Sequence, residues 1–152
     1  IAGYGFGVEV TPLHLTTAYA SLVNGGIYHT PTIEKTTKND GKYVISADNS
    51  QKMRKYLRKD VTDGAAKLAN IKNIEFMAKT GTASKKIDGK YSSEYIITNV
   101  IGNFKHKNTH YVIYVLLDEP KSTKETFGFS SAGWNAVPTA KEIINIITEE
   151  NK

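Results

Sequence analysis

The chain has 152 residues, 39% of them hydrophobic and 23% charged, a balance typical of one soluble globular domain with its own core. The absence of cysteine excludes disulfides, thiol catalysis and cysteine-ligated zinc. The net charge of +5 comes with acids interspersed among the lysines and with no nucleic-acid-binding motif. We therefore expect a solvated basic surface and no nucleic acid as a partner.

No apolar run is as long as a membrane span, and no signal peptide is recognisable. The chain begins at Ile1 rather than at a methionine. We therefore expect a piece of a longer polypeptide, with any targeting or membrane segment outside these residues. The glycine-rich start at residues 3–7 is not a dinucleotide-binding loop, because Val8 stands where a third glycine is needed. It predicts an irregular lead-in.

A first helix is predicted over "TPLHLTTAYASLVNGG", with Thr11 as its cap and Pro12 at its first position. Gly25 and Gly26 are expected to end it. The residues with the spacing of one buried helical face are Leu15, Ala18, Tyr19 and Leu22.

An extended ribbon is predicted next, around a turn at residues 39–41, "NDG". A second helix is expected to start after Ser46 and to end near Arg58, with Met53, Tyr56 and Leu57 facing inward. The segment "TDGAAKLANIKN" is predicted as a loop with one helical turn.

The second half of the chain is rich in strand signals, over residues 74–83, 95–104 and 110–117. The continuous apolar run "HYVIYVLL" predicts a strand buried on both faces, joined to the one before it by a short antiparallel hairpin. A final helix is indicated by an apolar stripe formed by Ala136, Ala140, Ile143, Ile144 and Ile147. The fold class is therefore α+β, an antiparallel sheet of about three strands packed against helices, including a C-terminal helix.

Several kinds of site are disfavoured by the motifs. Neither Gly-Lys pair is followed by the serine or threonine of a phosphate-binding loop. His106 and His110 flank the predicted hairpin turn, with no neighbouring ligands to complete a metal site. The acidic pair Asp118 and Glu119 ends a strand, which is typical of a solvated boundary. We predict no metal and no cofactor.

The segment Lys79-Thr80-Gly81-Thr82 is better suited to receiving an anion. Lysine supplies positive potential, and the hydroxyls can hydrogen-bond a carboxylate. Gly81 lets a substrate backbone lie close to the strand, and the N–H of Thr82 can point at a developing oxyanion. On these residues alone, a solvated lysine at a strand end is an equally good interpretation.

Over nearly its whole length the chain resembles the C-terminal part of class B penicillin-binding proteins, most closely the septal, division-specific FtsI type. The segments that carry the resemblance are "YGFGVEVTPLHLTTAYASLVNGG" from residue 4, "AKTGTASK" from residue 78, "LLDEP" from residue 116 and "SSAGWNAVP" from residue 130. The resemblance implies peptidoglycan D,D-transpeptidation by serine acyl transfer, on a fold like that of the serine β-lactamases.

The resemblance also implies roles for individual residues. Lys79 and Thr82 would be catalytic. Lys79 would adjust the charge and proton transfer in the cleft, and the Thr82 N–H would donate a hydrogen bond to the oxyanion. Lys79, Thr80, Gly81 and Thr82 would bind the D-Ala-D-Ala stem peptide or a β-lactam. Segments 84–94 and 121–133 would border the cleft, with Phe127 and Phe129 as a mobile apolar rim. Cell-division proteins would be partners of the parent protein, which would face the periplasm from an inner-membrane anchor outside this chain.

The chain departs from the family in one respect, because none of its serines begins a Ser-x-x-Lys or a Ser-x-Asn motif. We therefore predict that residues 1–152 are the C-terminal portion of a transpeptidase domain, that the nucleophile lies outside them, and that the piece alone is inactive. An unpaired strand edge, open to dimerisation, would follow. Two alternatives remain: a non-catalytic partner-binding or structural module, and, less favoured by the segments above, a β-lactamase.

Overall fold

The computed structural model describes residues 8–35 and 41–149. The glycine-rich lead-in at residues 3–7 and residues 39 and 40 of the predicted turn lie outside these ranges. Two short strands lie before and after that turn in the sequence, β1 (Ile27–Tyr28) and β2 (Lys42–Tyr43), and they pair antiparallel. The predicted ribbon is therefore confirmed, although only as a minimal one.

The central sheet has three antiparallel strands in the order β3-β4-β5. They are β3 (Met77–Ile87), β4 (Lys90–His106) and β5 (Thr109–Asp118), so the predicted strands and hairpin are confirmed. The register sets Lys79 opposite Ile101 and Thr82 opposite Thr98. Because side chains alternate along a strand, this register decides which residues share a face of the sheet.

The first two helices start where the sequence predicts, and a hydroxyl caps each of them. Thr11 Oγ1 accepts a hydrogen bond from His14 N at 3.2 Å and precedes α1 (Pro12–Val23). Ser46 Oγ accepts from Asn49 N at 3.2 Å and precedes α2 (Ala47–Thr62). The last helix, α3, spans Ala136–Glu149. A 3₁₀ turn at Lys67–Ala69 accounts for the predicted helical turn between α2 and the sheet.

Each face of the sheet carries its own apolar core. The larger core lies under α3 and includes Phe76, Ala78, Val100, Phe104, Val115, Ala136, Ala140 and Ile144. The smaller core lies under α1 and is formed by Tyr19, Leu57, Met77 and Ile101. Helix α2 contributes to both cores, because Leu57 joins the smaller and Val61 the larger. It therefore lies along the start of β3.

The inward faces of α1 and α2 differ from the prediction. Ala18 is exposed, and Leu15, Tyr19 and Val23 form the inner stripe of α1. Tyr56 is 68% exposed. The buried face of α2 continues from Leu57 to Val61, which is why the helix runs to Thr62 rather than ending near Arg58. In both helices the contact stripe follows i, i+4 and i+8 steps, and Ala18 and Tyr56 each precede a stripe residue by one position.

The prediction that residues 110–117 are buried on both faces is wrong. Of these residues only Val115 is buried, and Leu116 is 46% exposed. Within the described ranges β5 pairs with β4 alone, so it is an edge strand with one neighbour. Ile143 of the final stripe is also exposed, whereas Ile144 is fully buried. None of the helices in the described ranges is long and apolar enough to cross a membrane.

Candidate active site

Lys79, Thr80, Gly81 and Thr82 follow one another in the first half of β3. In the part of the chain that the structure describes, β3 pairs with β4 and with no other strand. The start of its outer side is covered by α2, where Arg58 Nη1 donates to the carbonyl oxygen of Phe76 at 2.8 Å. Beyond that point the strand presents backbone polar groups to which an extended ligand can add as a further strand.

The alternation of β3 separates the four residues into two pairs. Met77 belongs to the core under α1 and Ala78 to the core under α3. Lys79 and Gly81 therefore face the side of α1, and Thr80 and Thr82 the opposite side. The Lys79 ammonium is exposed and donates to the carbonyl oxygen of Thr80 at 2.8 Å, which holds the charge close to the strand.

The Thr82 hydroxyl is fixed by a contact distant in sequence. Its Oγ1 accepts a hydrogen bond from the backbone N–H of Ala132 at 3.1 Å. Ala132 starts a short 3₁₀ helix, Ala132–Trp134, that packs against β3. Because the hydroxyl oxygen is the acceptor, its own hydrogen remains available to donate to an anion. The Thr82 hydroxyl is thus free to donate to a carboxylate, although its role as a binding residue stays a prediction.

Gly81 is constrained from within the protein as well. A Cβ at this position would lie 2.8 Å from both Nδ2 and Oδ1 of Asn99, the residue opposite it on β4. Glycine therefore makes room for the Asn99 amide as well as for any ligand. Asn99 was not predicted from the sequence, because it becomes apparent only when β3 and β4 are paired in register.

A cavity of about 420 Å³ opens beside Lys79, between α2 and the start of β3. Its walls include Tyr56, Leu57, Asp60 and Lys79. Lysine thus stands at the rim of a cleft that is apolar on one side and acidic on another. The cleft is separate from the outer edge of Thr80 and Thr82, which lie on the opposite face of the strand.

The segment after β5 is bonded to the far end of β3. Lys85 Nζ contacts Asp118 Oδ1 at 2.9 Å and Glu119 Oε1 at 2.7 Å. Lys85 lies in a bulge between Ser84 and Lys86. Its pKa is raised mainly by the hydrogen bond to Glu119, and the hydrogen bond to Asp118 is the second cause. The acidic pair was predicted as a solvated boundary, and its ion pair with Lys85 was not foreseen from the sequence.

Phe127 and Phe129 form an exposed apolar surface next to this segment. They are 74% and 55% exposed, respectively. Both pack on Trp134, Phe129 in a stacked geometry at 5.4 Å and Phe127 edge-on at 5.6 Å between ring centroids. Trp134 belongs to the 3₁₀ helix that begins at Ala132, so the aromatic surface is connected to the Thr82 hydroxyl. Segment 84–94, predicted to border the cleft, forms the hairpin of β3 and β4.

Among the described residues, no group of three or more His, Asp and Glu side chains could hold a metal ion. His106 ends β4, and His110 pairs with Lys105. The groups that can act on a ligand lie along β3, where a lysine and two hydroxyls follow one another on one strand.

An α+β domain with a Lys-Thr-Gly strand at the edge of its sheet is the architecture of penicillin-interacting serine acyltransferases. The family model "Penicillin binding protein transpeptidase domain" matches residues 1–145, and the chain belongs to that family. The resemblance found in the sequence and the predicted fold class are thereby confirmed.

Curated relatives cover most of this chain. It is 31% identical over 156 residues to "Probable peptidoglycan D,D-transpeptidase FtsI" of Caulobacter vibrioides, with 95% of this chain and 26% of the relative covered. It is 34% identical over 142 residues to "Stage V sporulation protein D" of Bacillus subtilis, with 85% and 22% covered. The chain thus spans about a quarter of the length of these relatives.

Solved structures match the fold. The transpeptidase domain of Burkholderia pseudomallei penicillin-binding protein 3 superposes with a TM-score of 0.82 at 25% identity, covering 99% of this chain and 45% of that one. Penicillin-binding protein 3 of Mycobacterium tuberculosis, complexed with aztreonam, superposes with a TM-score of 0.76 at 23% identity, covering 97% and 37%. The second match concerns the fold alone.

Proposed function

We propose that residues 1–152 form the C-terminal portion of the transpeptidase domain of a serine-type peptidoglycan D,D-transpeptidase. The nucleophilic serine and its basic partners would belong to the preceding portion of the same domain. Family membership supports this assignment. So does the sequence, in which no serine begins Ser-x-x-Lys or Ser-x-Asn.

The observation that carries the proposal is the hydrogen bond from Ala132 N to Thr82 Oγ1 on the edge strand. It holds a hydroxyl donor at a fixed position two residues from Thr80 and three from Lys79. A D-Ala-D-Ala stem peptide lying along β3 would place its terminal carboxylate between the Thr80 and Thr82 hydroxyls. The positive potential of Lys79 would favour binding of that carboxylate.

In the acylation step, the serine oxygen attacks the carbonyl carbon of the penultimate D-Ala, and the C–N bond to the last D-Ala breaks. The serine proton ends on the departing amine, and a stem-peptide amine later displaces the serine ester. This chain contributes the Thr82 N–H, which stabilises the oxyanion, and Gly81, which lets the substrate approach the strand. A β-lactam would be attacked in the same way, with its ring C–N bond opening.

The biological setting proposed for the parent protein is septal cell-wall synthesis, with cell-division proteins as partners. The protein would be held by a membrane segment outside this chain, with its domain facing the periplasm or cell exterior. The similarity to an FtsI protein supports this setting. The similarity to a sporulation protein makes cell-wall synthesis during sporulation the alternative setting.

The proposal is tested by intact-mass spectrometry of the full-length parent after incubation with benzylpenicillin, with residues 1–152 as the control. We expect one adduct on an upstream serine of the parent and none on the 152-residue chain. Lys79→Ala in the parent should slow adduct formation by at least about a hundredfold, whereas Lys86→Ala, on the same strand, should not. A folded parent that forms no adduct would favour a non-catalytic binding module instead.

A further inference from the structure

A second and larger cavity, of about 590 Å³, lies on the α1 face at the opposite end of the sheet from Thr82. Met77, Asn103 and Val112 are paired in one row across β3, β4 and β5 and form its floor. Ala20 and Val23 of α1 form an apolar wall above that floor. The pocket is thus large enough to take an apolar side chain.

The floor contains one oriented polar group. Asn103 is buried, and its Oδ1 lies 3.1 Å from the hydroxyl of Tyr19, which also lies 2.9 Å from the carbonyl oxygen of Met77. The Tyr19 hydroxyl donates between these two acceptors and fixes the rotation of the Asn103 amide. Asn103 also lines the pocket, so the two N–H donors of its Nδ2 are the groups that the amide can offer to a ligand there.

The rim of the pocket is cationic. The next row of the sheet on the same face brings Lys105 opposite His110, and Arg54 reaches the rim from α2. A neighbouring cavity of about 400 Å³ shares Arg54 with the first and continues along α2 to Lys55. The one acid among the described residues that line the two cavities is Glu75, which both share.

The two cavities together form what we call the basal groove: an apolar pocket at Met77 and Val112, a cationic rim at Arg54 and Lys105, and an extension toward Lys55. We propose that the basal groove binds a short acidic peptide segment of a partner protein. One apolar side chain of that segment fills the pocket, and carboxylates on either side of it contact Arg54 and Lys105. Nothing in the proposed transpeptidase chemistry requires this groove.

The shape and charge of the groove favour a peptide over other anions. Its extended outline suits several consecutive residues, and the buried Asn103 amide provides hydrogen-bond donors for a backbone carbonyl. Glu75, between the cations, would repel a continuous row of phosphates but can accept a hydrogen bond from a peptide N–H. The phosphates of a nucleic acid could pair with the cations, but a nucleic acid would contact neither the apolar pocket nor Glu75.

The test is a titration of the isotope-labelled 152-residue chain, followed by amide chemical shifts. The probe is the capped peptide Asp-Glu-Leu-Phe-Glu-Asp, and the matched probe is Lys-Lys-Leu-Phe-Lys-Lys, which has the same apolar centre. We expect saturable shifts centred on Arg54, Asn103 and Val112 with the acidic peptide. The basic peptide should bind at least about tenfold more weakly.

Two variants separate charge from packing. Arg54→Glu with Lys105→Glu should weaken binding of the acidic peptide by about tenfold or more. The control is Lys90→Glu with Lys124→Glu, an equal charge change at exposed positions beside the other end of the sheet, and it should leave binding unchanged. Ala20→Leu changes no charge, and leucine is also a good helix former. It should weaken binding because the larger side chain narrows the pocket.

The proposal is overturned by any of three results obtained with folded protein, as judged by a dispersed amide spectrum. One is the absence of shifts with the acidic peptide at millimolar concentration. Another is equal binding of the two peptides, or of an oligothymidylate, because that shows no selectivity for an acidic peptide. The third is a set of shifts centred on residues 79–82 or on β5, which would indicate strand addition at an edge of the sheet.

Discussion

The ammonium of Lys85 lies 2.7 Å from the Glu119 carboxylate, so a residue in the bulge of β3 holds the residue that follows β5. The backbone N–H of Glu119 also donates to the carbonyl oxygen of Ile96 on β4, at 2.9 Å. At the other end of the same segment, Ala132 N donates to Thr82. Residues 119–132, which carry Phe127 and Phe129, are therefore attached near both ends to β3, on either side of Ala83.

Replacing Lys85 by Gln is expected to lower stability slightly, with a characteristic pH dependence. Bonding to Glu119 and Asp118 raises the pKa of Lys85 above its ordinary value of 10.5. The folded state therefore holds this proton more tightly than the unfolded chain does. The stabilisation is complete below pH 10.5 and is lost as pH rises through the higher folded-state pKa.

Urea unfolding of the native chain and of Lys85→Gln, at about pH 8 and about pH 11, measures this effect. The difference between the two midpoints should shrink at the higher pH. Lys86→Gln, one residue further along β3, is the control and should show no such change. A difference that stays constant between the two pH values would mean that the ion pair does not stabilise the fold.

The Thr82 hydroxyl is expected to have a structural role that is separable from ligand binding. Thr82→Val keeps the shape of the side chain but leaves the N–H of the buried Ala132 without its acceptor. This should lower the free energy of unfolding by about 1–3 kcal/mol. Thr82→Ser keeps the acceptor and should change it by less than about 1 kcal/mol.

Hydrogen exchange at the Ala132 amide provides a local readout of the same bond. Protection should fall in Thr82→Val and persist in Thr82→Ser. If protection is the same in both variants, the hydrogen bond between Ala132 and Thr82 is not what orders the start of the 3₁₀ helix.

Local signals in the sequence were sufficient for the elements and for the family. Thr11 and Ser46 predicted helix starts because a cap acts within three residues of itself. The Lys79–Thr82 segment was recognisable because its residue types and order are fixed by its chemistry. Contacts such as Lys85 with Glu119 could not be predicted, because periodicity gives the face of a strand but not a partner that lies beyond the neighbouring strand.

The misassigned positions have the same origin. Tyr56 differs from Leu57 by one step of about 100° around the helix, and only the position of the sheet decides which of the two is buried. The apolar run of residues 110–117 predicted burial on two faces, but burial of a strand also depends on how many neighbours cover it. In the described ranges β5 has one neighbouring strand, and sequence alone does not give that number.

Gly102, which the sequence did not single out, is expected to be less tolerant of substitution than Gly81. A Cβ on Gly102 would overlap the ring of Phe76 and lie 2.7 Å from the Met77 carbonyl oxygen. Phe76 is fully buried and Met77 is in a strand, so neither can move aside easily. Gly102→Ala should lower the free energy of unfolding by about 1–3 kcal/mol.

Gly81→Ala is the matched comparison, because the obstacle there is the terminal amide of Asn99 rather than backbone or a core ring. Rotation of Asn99 should limit the loss to less than about 1 kcal/mol. In the full-length parent, the same variant should slow acylation by benzylpenicillin, since the added methyl lies on the proposed substrate strand. Urea unfolding of Gly102→Ala and Gly81→Ala shows which of them loses more stability. Equal losses of unfolding free energy would show that the core around Phe76 can relax.

Tyr19→Phe is expected to destabilise the fold by about 1–2 kcal/mol at neutral pH, because it removes the donor to the Met77 carbonyl and to Asn103. Burial raises the pKa of the Tyr19 phenol above its ordinary value of 10.0. The folded state thus keeps a proton that the unfolded chain releases. Stability of the native chain should therefore fall as pH rises above 10.0, and Tyr19→Phe should lack this part of the fall.

The unfolding midpoints of the two proteins should accordingly approach each other above that pH. Ultraviolet absorbance of tyrosinate provides an independent check, because Tyr19 should ionise only with unfolding. Tyr43→Phe is the control, as this side chain is 73% exposed and should affect neither stability nor its alkaline dependence. Ionisation of Tyr19 while the protein is still folded would show that water reaches its hydroxyl. The hydrogen bonds to Met77 and Asn103 would then not be the cause of any loss of stability in Tyr19→Phe.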